Sequence, residues 1–171
     1  NAFNNLEHLD QLYYSVFKPT DSAGWSGNLK RYRLTSEGTV VDKNDDPAVD
    51  PNTGFFLETS HSFWTLSSVA DGNEVRKGGA ASRLTTSRKV ATYLGSNTNL
   101  LASANAITET NTALTPTLLD VPDTYTATQT SKLIQWAKGI DVNDEDNDTL
   151  KDDARIFMED PLHSQPVVIN Y

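Results

Sequence analysis

Between residues 141 and 160 the chain carries nine carboxylates (Asp141, Asp144, Glu145, Asp146, Asp148, Asp152, Asp153, Glu159 and Asp160) against two bases, Lys151 and Arg155. That window holds a net −7 of a formal total of −9, which leaves −2 for everything else. Carboxylates this close repel one another, so the segment has to stay in water or share a cation. The same clustering argues against nucleic acid as a partner, because phosphate demands the opposite charge. A counter-cluster of five bases and no acids runs from Arg76 to Lys89 and reads as a solvated basic loop.

The spacing of the acids is informative. Asp144-Glu-Asp146-Asn-Asp148-Thr-Leu-Lys-Asp152 is D-x-D-x-D-x-x-x-D, with carboxylates at positions 1, 3, 5 and 9 of an EF-hand-like loop and the Leu150 carbonyl at position 7. Calcium takes about six to eight oxygens, and alternate carboxylates on a tight turn converge to supply them. Thr149 stands at position 6, where Gly usually makes the sharp turn, and Arg155 stands at position 12 in place of a bidentate Glu. Asp153, Asp141 or water would have to complete such a site. Two readings stay open, a calcium site formed by Asp144, Asp146, Asp148, Leu150 and Asp152, and a solvated acidic linker. A second frame through Asp141, Asn143, Glu145 and Asp152 puts Asp146 at the turn position. A weaker echo, Asp42 to Asp50, has Pro47 at position 6 and reads as a polar loop.

A length of 171 residues suits one module with a modest core, since apolar residues make up 37%. No run reaches the roughly 18 apolar residues of a membrane helix. Asn1 begins no signal peptide, and the absence of an initial Met suggests an excised segment. With no cysteine, disulfides, thiol nucleophiles and Cys-ligated metals are excluded.

Along the chain, Leu6, Leu9, Tyr13, Val16 and Phe17 recur at helical spacing and predict an amphipathic helix over Phe3 to Phe17, stopped by Lys18-Pro19. From Trp25 the pattern becomes strand-like. Leu29 to Leu34 alternates and, with Glu37-Gly38 and Thr39 to Val41, predicts a hairpin. A strand is expected over Arg88 to Leu94, a polar loop excursion over 95–128 with a short element near Leu100, and a helix over Thr128 to Lys138 ended by Gly139. The acidic calcium-type loop, 141–153, leads into a helical turn from Thr149 to Met158. The apolar run Val167-Val168-Ile169 predicts a buried strand over 166–171 whose sheet neighbours continue past Tyr171. The fold class expected is mainly β with two or three short helices (α+β) and long loops.

No catalytic constellation stands out, so the chain reads as a non-enzyme. His8, His61 and His163 have no ligand spacing, and Asp160, His163 and Ser164 are too close in sequence for a triad. Trp25, Trp64 and Trp136 read as packing residues before sugar platforms.

Four strings in order resemble the PilY/PilC-type factors of type IV pilus biogenesis. They are Trp25-Ser-Gly-Asn-Leu-Lys-Arg-Tyr-Arg-Leu34; Ser62-Phe63-Trp64 with Asp71-Gly72 and Gly78-Gly79-Ala80; Trp136-Ala-Lys-Gly-Ile-Asp141 running into Asp144 to Asp148; and Asp160-Pro-Leu-His-Ser-Gln-Pro-Val-Val168. Asn147, Thr149 and Glu159 depart from positions where the family often has Gly. The resemblance implies an exported, pilus-tip protein at the periplasm or outer cell surface that supports pilus assembly and adhesion. It further implies minor pilins or the rest of the tip complex as partners, with a host or abiotic surface as target. Calcium on the D-x-D-x-D loop and a final strand leading into a β-propeller are implied as well. Two alternatives are a carbohydrate- or host-surface-binding adhesin module and a fragment of a quinone-dependent propeller dehydrogenase.

Overall fold

The structure is a computed structural model that describes residues 10–19, 25–66, 68–156 and 158–159. Where length suggests one module, the backbone divides into two compact units. One lies within Asn1–Arg83 and Ile156–Tyr171, and the other is Leu84–Arg155.

The first unit is built on an open antiparallel sheet of four strands. Strand β1 (Gln11–Lys18) pairs with β2 (Ser26–Leu34) in a register running from Gln11 opposite Arg33 to Lys18 opposite Ser26. The far edge of β2 takes the two-residue β3 (Val40–Val41) at Arg33 and Leu34, and β4 (Met158–Glu159) at Ser26 and Gly27. The expected hairpin is therefore present, with Gly38 at φ +82° in its turn. No propeller is seen among the described residues.

The first helix expected from sequence is instead a strand over its described part. Tyr13, Tyr14, Val16 and Phe17 are aromatic or β-branched side chains that suit a pleated surface, and β2 offers the partner that makes pairing favourable. Tyr14 meets Tyr32 and Phe56 edge-on, at 6.0 and 5.1 Å between ring centroids, while its neighbour Tyr13 lies 5.9 Å from Trp64. Alternate side chains thus meet different partners, a period of two where the sequence pattern pointed to 3.6. The remainder of that predicted helix, and the strand expected over 166–171, lie outside the described residues.

The buried face of β2 is polar. Ser26, Asn28, Lys30 and Tyr32 are all at most 4% exposed, whereas Leu29 and Leu34 are half-buried. These side chains hold the long loop from Ser60 to Arg83. Asn28 Nδ2 donates to the carbonyls of Val75 and Gly78, and its Oδ1 accepts from the backbone of Leu29 and Ala81. Lys30 Nζ donates to the Asp71 and Gly72 carbonyls and pairs with Asp71 Oδ2 at 3.0 Å. Burial draws the Lys30 ammonium below its usual pKa, and the Asp71 charge opposes that. Asp71 in turn accepts from Ser62 N, Ser62 Oγ and Thr65 Oγ1, at 2.8–2.9 Å. Gly79 seals the joint: at φ +58°, a Cβ there would stand 2.7 Å from the Leu29 carbonyl.

The second unit contains the helix α1 (Ala127–Ala137), as its pattern predicts. Thr126 and Gln129 form a reciprocal capping box at its start, and Gly139 (φ +85°) closes it. Of the strand expected at Arg88 to Leu94 only a single bridge, Ala91 to Ala106, is formed. Polar side chains, not a ladder, organise the excursion. Asn105 is fully buried, donates to the carbonyls of Asn97 and Asn99 and accepts from Leu94 N, beside a 3-10 turn at Ser103–Asn105. No helix among the described residues is long and apolar enough to cross a membrane.

Replacing Asp71 with Ala leaves the Lys30 ammonium buried without its counter-charge. Urea unfolding of Asp71→Ala is expected to show a loss of about 3–5 kcal/mol. A loss below about 1 kcal/mol would mean the pair does not hold this unit together.

Candidate metal centre

The acidic segment is a closed loop on the second unit. At its base the Asp141 N–H donates to the Asp153 carbonyl and the Arg155 N–H to the Gly139 carbonyl, with Ile140 and Ala154 bridged between them. Asp141 is 1% exposed, and both its carboxylate oxygens accept from Glu145 N at 2.9 Å, which turns the chain immediately before the run of acids. The helical turn expected from Thr149 to Met158 is not formed: residues 149–156 are bends, the one bridge at Ala154 and coil. Closing the loop base uses backbone groups that a helix would need for itself.

A triangle of side chains braces the loop against α1. Trp136 Nε1 donates to Glu145 Oε1 at 2.8 Å, Arg155 Nε donates to Glu145 Oε2 at 3.1 Å, and the Arg155 guanidinium lies 4.4 Å from the centre of the Trp136 ring. Each contact fixes another member, because the carboxylate, the cation and the indole share one geometry.

Within the loop the structure brings together three of the predicted ligands. Carboxylate oxygens of Asp144, Asp146 and Asp148 all lie within 4.8 Å of one another. Successive side chains accept from the backbone ahead of them: Asp144 Oδ1 from Thr149 N, Asp146 Oδ1 from Asp148 N and Asp148 Oδ1 from Leu150 N, at 2.8–3.2 Å. These contacts curl the chain so that alternate residues point inward. Asp144, Asn147 and Thr149 have positive φ, of 54°, 63° and 76°. Thr149 at position 6 therefore takes the left-handed turn that Gly supplies in EF-hand loops, although it is β-branched and pays in strain. Asp152 is not in the converging group, and Leu150 is exposed.

Asp153 is the carboxylate that the sequence pattern gave only a supporting part. Its Oδ1 is buried without a hydrogen-bond partner among the described residues. Desolvation holds this carboxyl above its ordinary range, and the nearby charges of Asp148, Asp146 and Asp141 push the same way. The motif gives no signal for this, since it depends on the loop folding back on its own base.

The weaker acidic echo is a polar loop, as its Pro47 indicates. Asp42 is 1% exposed and spends its carboxylate on the backbone of Asn44, Asp46 and His61. The basic stretch is also built into loops: Arg76 donates to Ser26 Oγ, Arg83 to the Trp64 carbonyl, and Arg88 to the Gly139 and Arg155 carbonyls. All three tryptophans are half-buried. Trp25 stacks on Phe17 at 6.0 Å, Trp64 sits by Tyr13 and Trp136 belongs to the triangle.

Comparison of the chain with protein-family models, with curated proteins and with solved structures finds no match.

Thr149→Gly removes the β-branched side chain from a left-handed position. The variant is expected to be more stable by about 1 kcal/mol in urea unfolding, the reverse of the usual effect of inserting Gly. A destabilised variant would show that Thr149 is not strained.

Proposed function

We propose that this chain is a non-enzymatic, extracytoplasmic interaction module whose acidic loop binds one calcium ion. The observation that carries the reading is the convergence of Asp144, Asp146 and Asp148 in a loop closed at both ends. Three carboxylates within reach of one another are the hard oxygen donors that calcium prefers, and a divalent charge offsets their repulsion. The Leu150 carbonyl, Asp152 and water are the remaining donors this reading assigns, toward the about six to eight oxygens that calcium takes. Calcium would stiffen the loop that links α1 to the chain's return toward β4.

The wider reading is that the module belongs to a PilY/PilC-type pilus-tip factor, supports pilus assembly and adhesion, and leads into a β-propeller. It rests on the ordered strings that resemble that family. Residues of the first two strings interlock, with Asn28, Lys30, Ser62, Asp71 and Gly79 in one network, and Trp136, Asp141 and Glu145 of the third form another. Two strings that share one network are more specific together than each alone. Minor pilins or the rest of a tip complex are the partners this reading assigns.

Calcium at a hundredfold excess over its dissociation constant is expected to raise the melting temperature by about 5 °C or more, and EDTA to reverse this. The Asp146→Ala, Asp148→Ala double variant should lose the response. An equal response from that variant would remove the site from this loop.

A further inference from the structure

The triangle that braces the acidic loop also holds an aromatic ring at the edge of a second feature. A cleft of about 260 Å³ opens beside α1, lined by Tyr125, Gln129, Lys132, Leu133, Trp136, Val142 and Asn143. Leu133 and Trp136 follow Gln129 by four and seven residues, and Lys132 by three, so one helical face supplies most of the lining. Tyr125 comes from just before the N-cap, and Val142 and Asn143 from just after the helix closes at Gly139.

Three properties define what such a cleft can hold. Its floor is apolar and aromatic, from Leu133, Trp136 and the buried Val142. The Trp136 indole is already pinned by Glu145 and Arg155, so little ordering remains for binding to impose. The phenol of Tyr125, the ammonium of Lys132 and the amide of Asn143 have no hydrogen-bond partner among the described residues, and all three are exposed. An aromatic floor with unspent donors and acceptors around it recognises a ligand with one apolar face and a polar periphery. The volume lies below the roughly 300–1,000 Å³ of pockets that enclose drug-sized ligands, so a single ring is the appropriate size.

Charge narrows the class further. Lys132 disfavours a cation at the cleft. Asn143 is followed directly by Asp144 and Glu145, in the most acidic stretch of the chain, which disfavours an anion. What remains is neutral and rich in hydroxyls. A pyranose fits: the partial positive charge of its ring C–H bonds meets the negative face of an aromatic ring, and its hydroxyls both donate and accept.

We infer that the cleft between α1 and the start of the acidic loop binds one neutral pyranose ring. Trp136 and Leu133 form the platform beneath it, and Tyr125, Lys132 and Asn143 engage its hydroxyls. The inference is independent of the metal, because none of these residues belongs to the converging carboxylates.

Saturation-transfer difference NMR on the whole chain tests this with the methyl pyranosides of glucose, galactose, mannose and N-acetylglucosamine, and with glucuronate and tyramine as an acidic and an aromatic cationic probe. At least one neutral glycoside is expected to bind with a millimolar dissociation constant, the strength of a single small contact. Tyr125→Ala and Asn143→Ala should each weaken it about tenfold without moving the melting temperature, since both side chains are exposed. Both effects should persist in the Asp146→Ala, Asp148→Ala background. Binding of no neutral glycoside, preference for either charged probe, or affinity untouched by both alanine variants would overturn the assignment.

Discussion

Hydrogen bonding by buried side chains to loop backbone is the constraint on which both units depend. Among the described residues one eleven-residue helix and four strands leave most peptide groups without a ladder partner. Buried peptide groups cannot go unpaired, so something else has to satisfy them. Here Asn28, Lys30, Asp42, Asp71, Asn105 and Asp141 do so, each at most 2% exposed and each bonded to main-chain atoms of a loop. Among the described residues, ten buried polar side chains outnumber eight buried apolar ones, so the interior is specified by directional bonds as much as by volume.

This arrangement explains why glycines and small residues gather where they do. A side chain that reaches into a loop needs the loop to come within hydrogen-bond distance, and a Cβ can block that approach. Gly79 lies against Asn28 and the Leu29 carbonyl, and its own N–H donates to Ser62 and Thr65. Gly139 lets the Arg88 guanidinium pack against its α-carbon, where a Cβ would be 2.1 Å away, while its carbonyl serves both Arg88 and Arg155. The same economy shapes the acidic loop. Its carboxylates first accept backbone N–H groups, which sets the curl, and the curl then brings three of them together. Local bonding thus creates a charge density that favours a cation, without any cation having to organise it from an extended chain.

Several features were legible in the residues themselves. The hairpin, the helix before Gly139 and the loop bounded by Asp141 and Asp153 all rest on local rules of turn chemistry, capping and charge spacing. The N-terminal segment was not legible, because Tyr13, Val16 and Phe17 satisfy a helical spacing while Leu12 to Phe17 also has strong strand composition. Pairing with β2, in a register from Gln11 opposite Arg33 to Lys18 opposite Ser26, settles the choice. The direction of β2 was equally hidden. Its apolar Leu29 would ordinarily mark the inside, yet Asn28 and Lys30 on the opposite face are buried because a distant loop supplies their partners.

From sequence alone come the charge distribution, the D-x-D-x-D spacing and the residues able to turn or cap, since these depend only on neighbours along the chain. Tertiary structure alone decides that Asp152 stands apart from the other three acids and that Asp153 Oδ1 is buried within the field of Asp146 and Asp148. It alone joins Trp136, Glu145 and Arg155 and opens a cleft beside them. The physical reason is range. Capping and turn preferences act over a few residues, whereas desolvation, ion pairing and cavity shape depend on which distant groups the folded backbone brings within a few ångströms.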